Sequence, residues 1–173
     1  PARYGAKART VHRPLNLPDV MPTLLRLAAL PVPESVQGTD LSDPRTWQTA
    51  DDGAFLNLPV LVAEARRYGF AEYRGLRTGR HTYVRSIRGP WLLYDNQADP
   101  YQMHNLVHDA GARAVRATLD RQLDTRLRAL QDDFLPAARY IERSGAAHYQ
   151  ELHTPIGSTR SPWGDWESTL TAG

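Results

Sequence analysis

The side chains that could do chemistry in this chain include two pairs of histidines. His104 and His108 are four residues apart, the spacing that brings two metal ligands to one face of a helix. They follow an Asp-Pro turn and have no third ligand at a useful spacing, so a solvated loop and helix start is the preferred interpretation. His148 and His153 are five residues apart, which does not place them on one helix face. We therefore predict no metal site from the histidines.

No motif of nucleophilic catalysis accompanies these histidines. The chain has no cysteine, which excludes thiolate catalysis, disulfides and cysteine-based zinc sites. It has no Gly-x-Ser-x-Gly turn to expose a serine, and no glycine-rich loop followed by Lys-Ser or Lys-Thr. The carboxylate pairs Asp51/Asp52 and Asp132/Asp133 fall where loops and helix ends expose side chains to solvent. We predict no catalytic residue and no metal ligand in this chain.

A cluster of arginines is the other group of side chains that could bind a ligand. Five arginines fall between residues 74 and 88. Strand alternation places Tyr73 and Arg77 on one face of the segment and Arg74 on the other. An inward-facing guanidinium is costly unless an acid or an anion neutralises it. Two interpretations stay open: an ion pair with Asp or Glu, or recognition of an anionic substrate group by the guanidinium fork. For the second, the candidate substrate-binding residues are Tyr73, Arg74 and Arg77.

The elements that must position these arginines are antiparallel strands and a helix. Residues 70–78, 81–87 and 91–95 are rich in β-branched and aromatic residues and are separated by short turns. Residues 54–65 are either a further strand or a helix start, since Pro59 disfavours a central strand. Residues 112–134 carry an apolar stripe at helical spacing. The predicted fold is α+β, a three- to four-stranded antiparallel meander packed by one long C-terminal helix.

The two ends of the chain are less regular. A helix is predicted for residues 19–30, with Asp19 as its N-cap and Pro22 in its first turn. A loop rich in Pro, Gly and Asp follows. The segment after residue 136 is predicted to hold a short helix. We expect Trp163 and Trp166 to pack against a surface.

Composition excludes several classes of function. Of the 173 residues, 41% are hydrophobic and 23% are charged, which is typical of a domain with a core. The net charge of +2 comes without a Lys/Arg-rich run, so nucleic-acid binding is not expected. No apolar run approaches the ~20 residues of a membrane span. The chain opens on "PARYGAKARTVHRPLNLPD", without Met or an apolar leader, and reads as if entered in the middle of a longer protein.

Three strings, in this order, resemble the sulfatase family. "LPDVMPTLLRLAALPVPESVQGTDL" (17–41) resembles the end of the catalytic half, with its Asp-x-x-Pro-Thr-Leu-Leu and Gln-Gly-x-x-Leu. "RGLRTGRHTYVR" (74–85) resembles the first hairpin of the C-terminal sheet. "LLYDNQADPYQMHNL" (92–106) resembles the following strand and its exit, where Asn105 and Asp109 are candidates for satisfying backbone groups. The chain has Ala29 where a Gly is usual, and Tyr101-Gln102 where Gly-Glu is common.

The resemblance implies an alkaline-phosphatase-like fold and hydrolysis of sulfate esters or sulfamates. It implies a formylglycine made from Cys or Ser in Cys/Ser-x-Pro-x-Arg, beside a calcium ion. Neither string occurs here, so the expected chain is a C-terminal portion that lacks the nucleophile and the metal ligands and is inactive alone. Its expected partners are the missing catalytic domain and, for the intact enzyme, a sulfated small molecule or glycan.

The resemblance also implies a division of the chain. Residues 1–53 would end the catalytic domain, 54–136 would form the C-terminal subdomain, and 137–173 would be a tail. The subdomain would contribute to the fold and to the substrate pocket. The alternative interpretation is a naturally truncated or split sulfatase relative that acts as a non-catalytic interaction module.

Overall fold

A four-stranded antiparallel sheet and three helices make up the described part of the chain. A computed structural model describes residues 10–11, 13–48, 53–59 and 70–145 of the chain. The strands run in sequence order across the sheet: β1 Ala54–Leu58, β2 Tyr73–Arg77, β3 His81–Ser86 and β4 Gly89–Asp95. The helices are α1 Leu17–Leu27, α2 Arg113–Ala129 and α3 Ala137–Arg143, and a 3-10 turn occupies Pro44–Gln48. The predicted α+β class and antiparallel meander are confirmed.

The hydrophobic core lies between one face of the sheet and α2. Alternation in the strands presents Leu76, Tyr83 and Leu93 side by side, since Tyr83 pairs in register with both of the other two. Against them pack three leucines at helical spacing: Leu119, Leu123 and Leu127. Each such side chain contributes about 1.5–3 kcal/mol to the free energy of unfolding when it is fully buried. This packing fixes which strand residues point toward α2.

Residues 54–65 were predicted to be either a further strand or the start of a helix, and the structure shows a strand at their beginning. Residues 54–58 form a strand that, within the described part of the chain, lies at the edge of the sheet and pairs only with β2. It ends immediately before Pro59, which has no N–H to donate to a ladder. Residues 60–69 lie outside the described part of the chain.

The long helix is shorter than its apolar stripe predicts. It has 17 residues and stops at Ala129, although the stripe continues to Phe134. Gln131 adopts a left-handed conformation with φ of 53°. Its N–H donates to Arg128 O at 3.1 Å, and the Asp132 N–H donates to Leu127 O at 2.9 Å. This Schellman pair ends the helix, and Phe134 returns to the core from the loop that follows.

The first helix begins two residues earlier than predicted, at Leu17. Asn16 is its N-cap, so the prediction of Asp19 as N-cap is wrong. Asp19 instead occupies the third helical position, where its Oδ2 accepts the Asn16 N–H at 2.9 Å. That contact satisfies a backbone donor that the start of a helix leaves without an intrahelical partner.

The end of the chain is described as far as residue 145. The short helix predicted after residue 136 is α3, whereas Trp163 and Trp166 lie outside the described residues. Among the described residues, none of the helices combines the length and hydropathy that a membrane span requires.

Candidate functional site

Arg74 stands at the centre of a buried polar cluster between β2 and the segment after α2. Its guanidinium is 1% exposed. Nε donates to Asp132 Oδ2 at 2.5 Å, and Nη2 donates to Asp132 Oδ1 at 3.2 Å and to the Tyr140 hydroxyl at 3.0 Å. Nη1 donates to the Tyr73 carbonyl at 2.9 Å. The guanidinium carbon also lies 4.9 Å from the centroid of the Phe134 ring. The ion-pair interpretation of Arg74 is what the structure shows.

Electrostatics within this cluster favour the ionised carboxylate. Burial acts to raise the pKa of Asp132, but hydrogen bonds from Arg74, Tyr140 and the Phe134 N–H outweigh it and lower that pKa to about 2. Burial, and then the hydrogen bond to Asp132, raise the pKa of the Tyr140 hydroxyl. The cluster therefore holds one positive charge, one negative charge and a neutral phenol at neutral pH. Asp132 was expected to be solvated, and its side chain is only 16% exposed, so that expectation is wrong.

A second polar layer joins β3 to α2. Arg85 donates to Asp120 Oδ1 at 2.9 Å and to Asp124 Oδ1 at 2.7 Å, two carboxylates one helical turn apart. The Tyr83 hydroxyl donates to the same Asp120 oxygen at 2.7 Å. Burial is the first cause that raises the pKa of Tyr83, and its bond to Asp120 is the second. This layer sets one guanidinium between two carboxylates and links β3 to the helix.

Arg77 and Tyr73 lie on the opposite face of the sheet, as alternation predicts. Arg77 Nη1 donates to Thr82 Oγ1 at 2.8 Å and to Asn96 Oδ1 at 3.0 Å. The Tyr73 ring packs against Trp91 with centroids 5.7 Å apart. The structure thus separates the three candidate substrate-binding residues, because Arg74 faces α2 and the other two face away. Their role in substrate binding stays a prediction.

The residues of the first family-like string hold α1 in place. Asp19 Oδ1 accepts the Thr39 N–H at 2.8 Å, and Thr23 Oγ1 accepts the Leu41 N–H at 3.0 Å. A Cβ at Gly38 would lie 2.1 Å from the Pro18 carbonyl oxygen. Asn16 Oδ1 accepts the Phe55 N–H at 2.6 Å and so links the start of the helix to β1. These side chains have an architectural role.

The string that leaves β4 is also held by side chain to backbone bonds. Asn105 Oδ1 accepts the N–H groups of Leu93 and Val107, and Asn105 Nδ2 donates to the Trp91 carbonyl at 2.9 Å. Asp109 Oδ1 accepts the Gly111 N–H at 2.6 Å. The prediction that Asn105 and Asp109 satisfy backbone groups here is confirmed.

The histidines and the remaining carboxylates do not assemble a centre in the described part of the chain. His104 is 85% exposed, with Nδ1 3.8 Å from Asp99 Oδ2. His108 is exposed, and Asp133 pairs with Arg143 at the surface. Within residues 10–11, 13–48, 53–59 and 70–145, no three His, Cys, Asp or Glu side chains come together as metal ligands would. His148, His153, Asp51 and Asp52 lie outside these residues.

Sequence reasoning missed two members of the buried cluster, Asp132 and Tyr140. The available signal was the inward-facing Arg74, which requires a carboxylate partner. It did not identify which acid would come from a segment 58 residues away.

Comparison with known proteins finds a matching family model and related proteins of known name. A family model described as N-sulphoglucosamine sulphohydrolase, C-terminal, matches residues 3–129. An ulvan-active sulfatase of Formosa agariphila is 33% identical over 171 residues, which cover 90% of this chain and 32% of that protein. A choline-sulfatase of Rhizobium meliloti is 30% identical over 114 residues, which cover 62% of this chain and 20% of that protein. The chain thus spans about a third or less of the length of these relatives.

A solved structure shows the same arrangement of elements. It is a complex with the substrate D-glucosamine-2-N,6-O-disulfate, and it superposes with a TM-score of 0.53 at 25% identity. The superposition covers 66% of this chain and 24% of that one.

Proposed function

The chain belongs to the sulfatase family, in its C-terminal region, and on this premise we propose that it forms the C-terminal portion of a hydrolase of sulfate esters or sulfamates. The observation that carries the proposal is the family match over residues 3–129. Sulfuric ester hydrolysis is the activity of the relatives by name, a sulfatase active on ulvan and one active on choline sulfate. The proposal assigns the chain a role in fold and substrate pocket rather than in the chemical step.

The surface of α1 supports a partner domain. Its exposed face is apolar: Leu17, Met21 and Leu24 recur at spacings of four and three and are 85%, 59% and 58% exposed. Its buried residues are Asp19 and Pro22, so the usual polarity of a surface helix is inverted. A contiguous exposed apolar stripe of this kind marks an interaction surface. We propose that the catalytic domain covers it.

The proposed division of the chain follows from that surface. Residues 1–53 would complete the catalytic domain, 54–136 would form the C-terminal subdomain, and 137–173 would be the tail. Asn16 at the start of α1 bonds Phe55 of β1, which would keep the first two parts in contact. The second polar layer and the core leucines would hold the sheet and α2 as one support beneath the substrate pocket.

The sequence does not fit the formylglycine that the family implies, and the described residues do not fit its calcium ion. Formylglycine requires Cys or Ser in Cys/Ser-x-Pro-x-Arg, and the 173-residue sequence has neither string. The described residues bring together no ligand set for calcium. No chemical step is therefore assigned to this chain.

We propose that Tyr73 and Arg77 contact the substrate directly and that Arg74 influences substrate binding indirectly. Arg77 is exposed on the face away from α2, with Tyr73 on the same face, so both are suited to direct contact with an anionic substrate group. Arg74 is buried, and four of its N–H groups are engaged, so its effect would come through the position of β2.

The coding sequence upstream of Pro1 tests the proposal. We expect an in-frame Cys-x-Pro-x-Arg or Ser-x-Pro-x-Arg, and we expect the complete polypeptide to hydrolyse 4-nitrophenyl sulfate. Replacing the Cys or Ser of that string by Ala is the matched control and should abolish turnover. A start codon close to Pro1 with no such string upstream would instead favour the non-catalytic interaction module and would overturn the enzymatic proposal.

A further inference from the structure

Arg77 differs from the other arginines of the hairpin in how its charge is compensated. Arg74, Arg80 and Arg85 each bond a carboxylate. Arg77 Nη1 is held by two neutral oxygens, those of Thr82 and Asn96, and among the described residues no carboxylate lies within ion-pair distance of it. Its Nε and Nη2, the outer edge of the fork, make no hydrogen bond in this part of the chain. The guanidinium is thus fixed in place but not neutralised.

Asn96 supplies a second donor beside Arg77. The side chains of Arg77, Asn96 and Gln102 are called the corner below. Its Oδ1 accepts hydrogen bonds from Arg77 Nη1, from Gln102 Nε2 at 2.8 Å and from the Thr82 hydroxyl at 3.1 Å. Three donors on one oxygen fix the orientation of the amide, because a flipped amide would turn its NH₂ toward Arg77 and Gln102. Asn96 Nδ2 is consequently held in a buried position, and no acceptor for it is found among the described residues. A buried donor left without a partner is destabilising, so an arriving acceptor would be favoured.

Gln102 explains why the corner keeps its positive charge. Its Nε2 also donates to Thr82 Oγ1, at 3.1 Å, so its side chain shares both oxygens that hold Arg77. It does so with φ at 56°, a left-handed conformation that non-glycine residues rarely adopt. A Glu at this position would bring a carboxylate to Arg77, whereas the amide brings none. The nearby carboxylates are already engaged, Asp95 by Arg80 and Asp99 by the His104 N–H.

We propose that Arg77, Asn96 and Gln102 form a binding corner for a tetrahedral oxyanion, with a sulfate group as the ligand. The planar fork of Arg77 bonds two oxygens of such a group, and a charge-assisted pair of this kind is stronger than a neutral one. Asn96 Nδ2 donates to a third oxygen after a small rotation of the turn that carries Asn96. The identification of the ligand as a sulfate group of the substrate rests on the proposed function; the oxyanion site does not.

Titration of the 173-residue chain with sodium sulfate, followed by the ¹H–¹⁵N signals of the Asn96 amide and Arg77 Nε, tests the site. Sodium chloride at equal ionic strength is the blank. We expect saturable shifts with sulfate, and binding about tenfold weaker or more in Gln102→Glu, where the new carboxylate neutralises Arg77. Arg77→Gln should behave alike. Arg88→Gln, which removes an exposed arginine from the β3–β4 turn, is the matched control and should bind as the parent does.

The outcomes separate the site from the proposed function. Sulfate shifts that are equal in the parent and in Gln102→Glu, with both variants folded by circular dichroism, overturn the site. That result leaves hydrolysis of 4-nitrophenyl sulfate by the complete polypeptide untouched. A second titration compares D-glucosamine-2-N,6-O-disulfate with D-glucosamine. Binding of the disulfate alone supports a substrate sulfate as the ligand, and equal binding of the two sugars contradicts it.

Discussion

The guanidinium of Arg74 and the carboxylate of Asp132 form a bidentate ion pair that joins the centre of the sheet to the loop after α2. The two residues are 58 positions apart, and the pair lies beneath the rings of Phe134 and Tyr140. An ion pair in such a place contributes little net stability relative to apolar residues, but removal of one partner leaves a buried charge. The fold is therefore sensitive to the loss of either partner.

Arg74→Met should lower the free energy of unfolding by about 3–5 kcal/mol, because Asp132 would keep its charge without a counterion. Urea unfolding followed by circular dichroism measures the change. The double variant Arg74→Met/Asp132→Leu should recover much of the loss, since it leaves no buried charge. A double variant as unstable as the sum of its single changes would contradict this account of the pair.

Acid should weaken the fold through Asp132. Its pKa is about 2 in the folded state, below the ~3.9 of an unfolded Asp. A depressed pKa gives a stabilising contribution that is complete above pH ~4 and is lost as the pH falls through about 2. This contribution amounts to about 2 kcal/mol. Urea midpoints measured from pH 6 to pH 2 should fall less steeply in Asp132→Asn than in the parent, while Asp133→Asn, on the surface, should follow the parent curve.

The sheet and the core were predictable because local pattern and tertiary packing agree there. Alternation in "RGLRTGR" and "HTYVR" places Leu76 and Tyr83 inward, and the structure pairs them in register. The end of α2 was not predictable from its stripe. The apolar period continues through Leu130 and Phe134, but the left-handed Gln131 stops the helix, and no glycine marks the position.

The candidate site was predictable only in part, for a related reason. Strand alternation separates Arg74 from Arg77 and shows that Arg74 needs a counterion. The counterion comes from a loop whose path depends on where α2 ends, so an error in the helix boundary hides Asp132. The corner at Arg77 depends on Asn96 and Gln102, two amides in a turn, and amides in turns carry no periodic signal.

Gly38→Ala should destabilise the contact between α1 and the loop after it. The added Cβ would lie 2.1 Å from the Pro18 oxygen and 2.9 Å from the Asp19 nitrogen, both of them backbone atoms that cannot rotate away. We expect a loss of about 1–3 kcal/mol in the free energy of unfolding. Gly111→Ala is the control, because the added Cβ would approach a side-chain oxygen, Asp109 Oδ1 at 3.0 Å, rather than backbone atoms. Equal stability of the two variants would show that the loop moves to accommodate the Cβ added at residue 38.

Ala29→Gly should stabilise the end of α1. Ala29 has φ of 60°, and it closes a Schellman pair in which its own N–H donates to Arg26 O and the Leu30 N–H donates to Leu25 O. Glycine adopts this conformation without a steric penalty, so we expect a gain of up to about 1 kcal/mol. Thermal unfolding of the parent and variant measures it. Ala28→Gly, one residue earlier with φ of −80°, should be neutral or destabilising; a gain there equal to that of Ala29→Gly would contradict the conformational explanation.

The apolar face of α1 should make the 173-residue chain self-associate when it is expressed alone. Met21 and Leu24 are more than half exposed on that face, and water contact with such a stripe favours association. Met21→Lys/Leu24→Lys should shift the population toward monomer in sedimentation velocity, with little loss of stability, because neither side chain is in the core. Leu130→Lys is the matched control: Leu130 is half exposed and lies at the end of α2, so its replacement should leave association unchanged.

In the complete polypeptide the Met21→Lys/Leu24→Lys variant should lose activity, since the same face of α1 would then be buried against the catalytic domain. A parent chain that is monomeric at high concentration, or a complete polypeptide that keeps full activity with both lysines, would show that no partner domain covers this face.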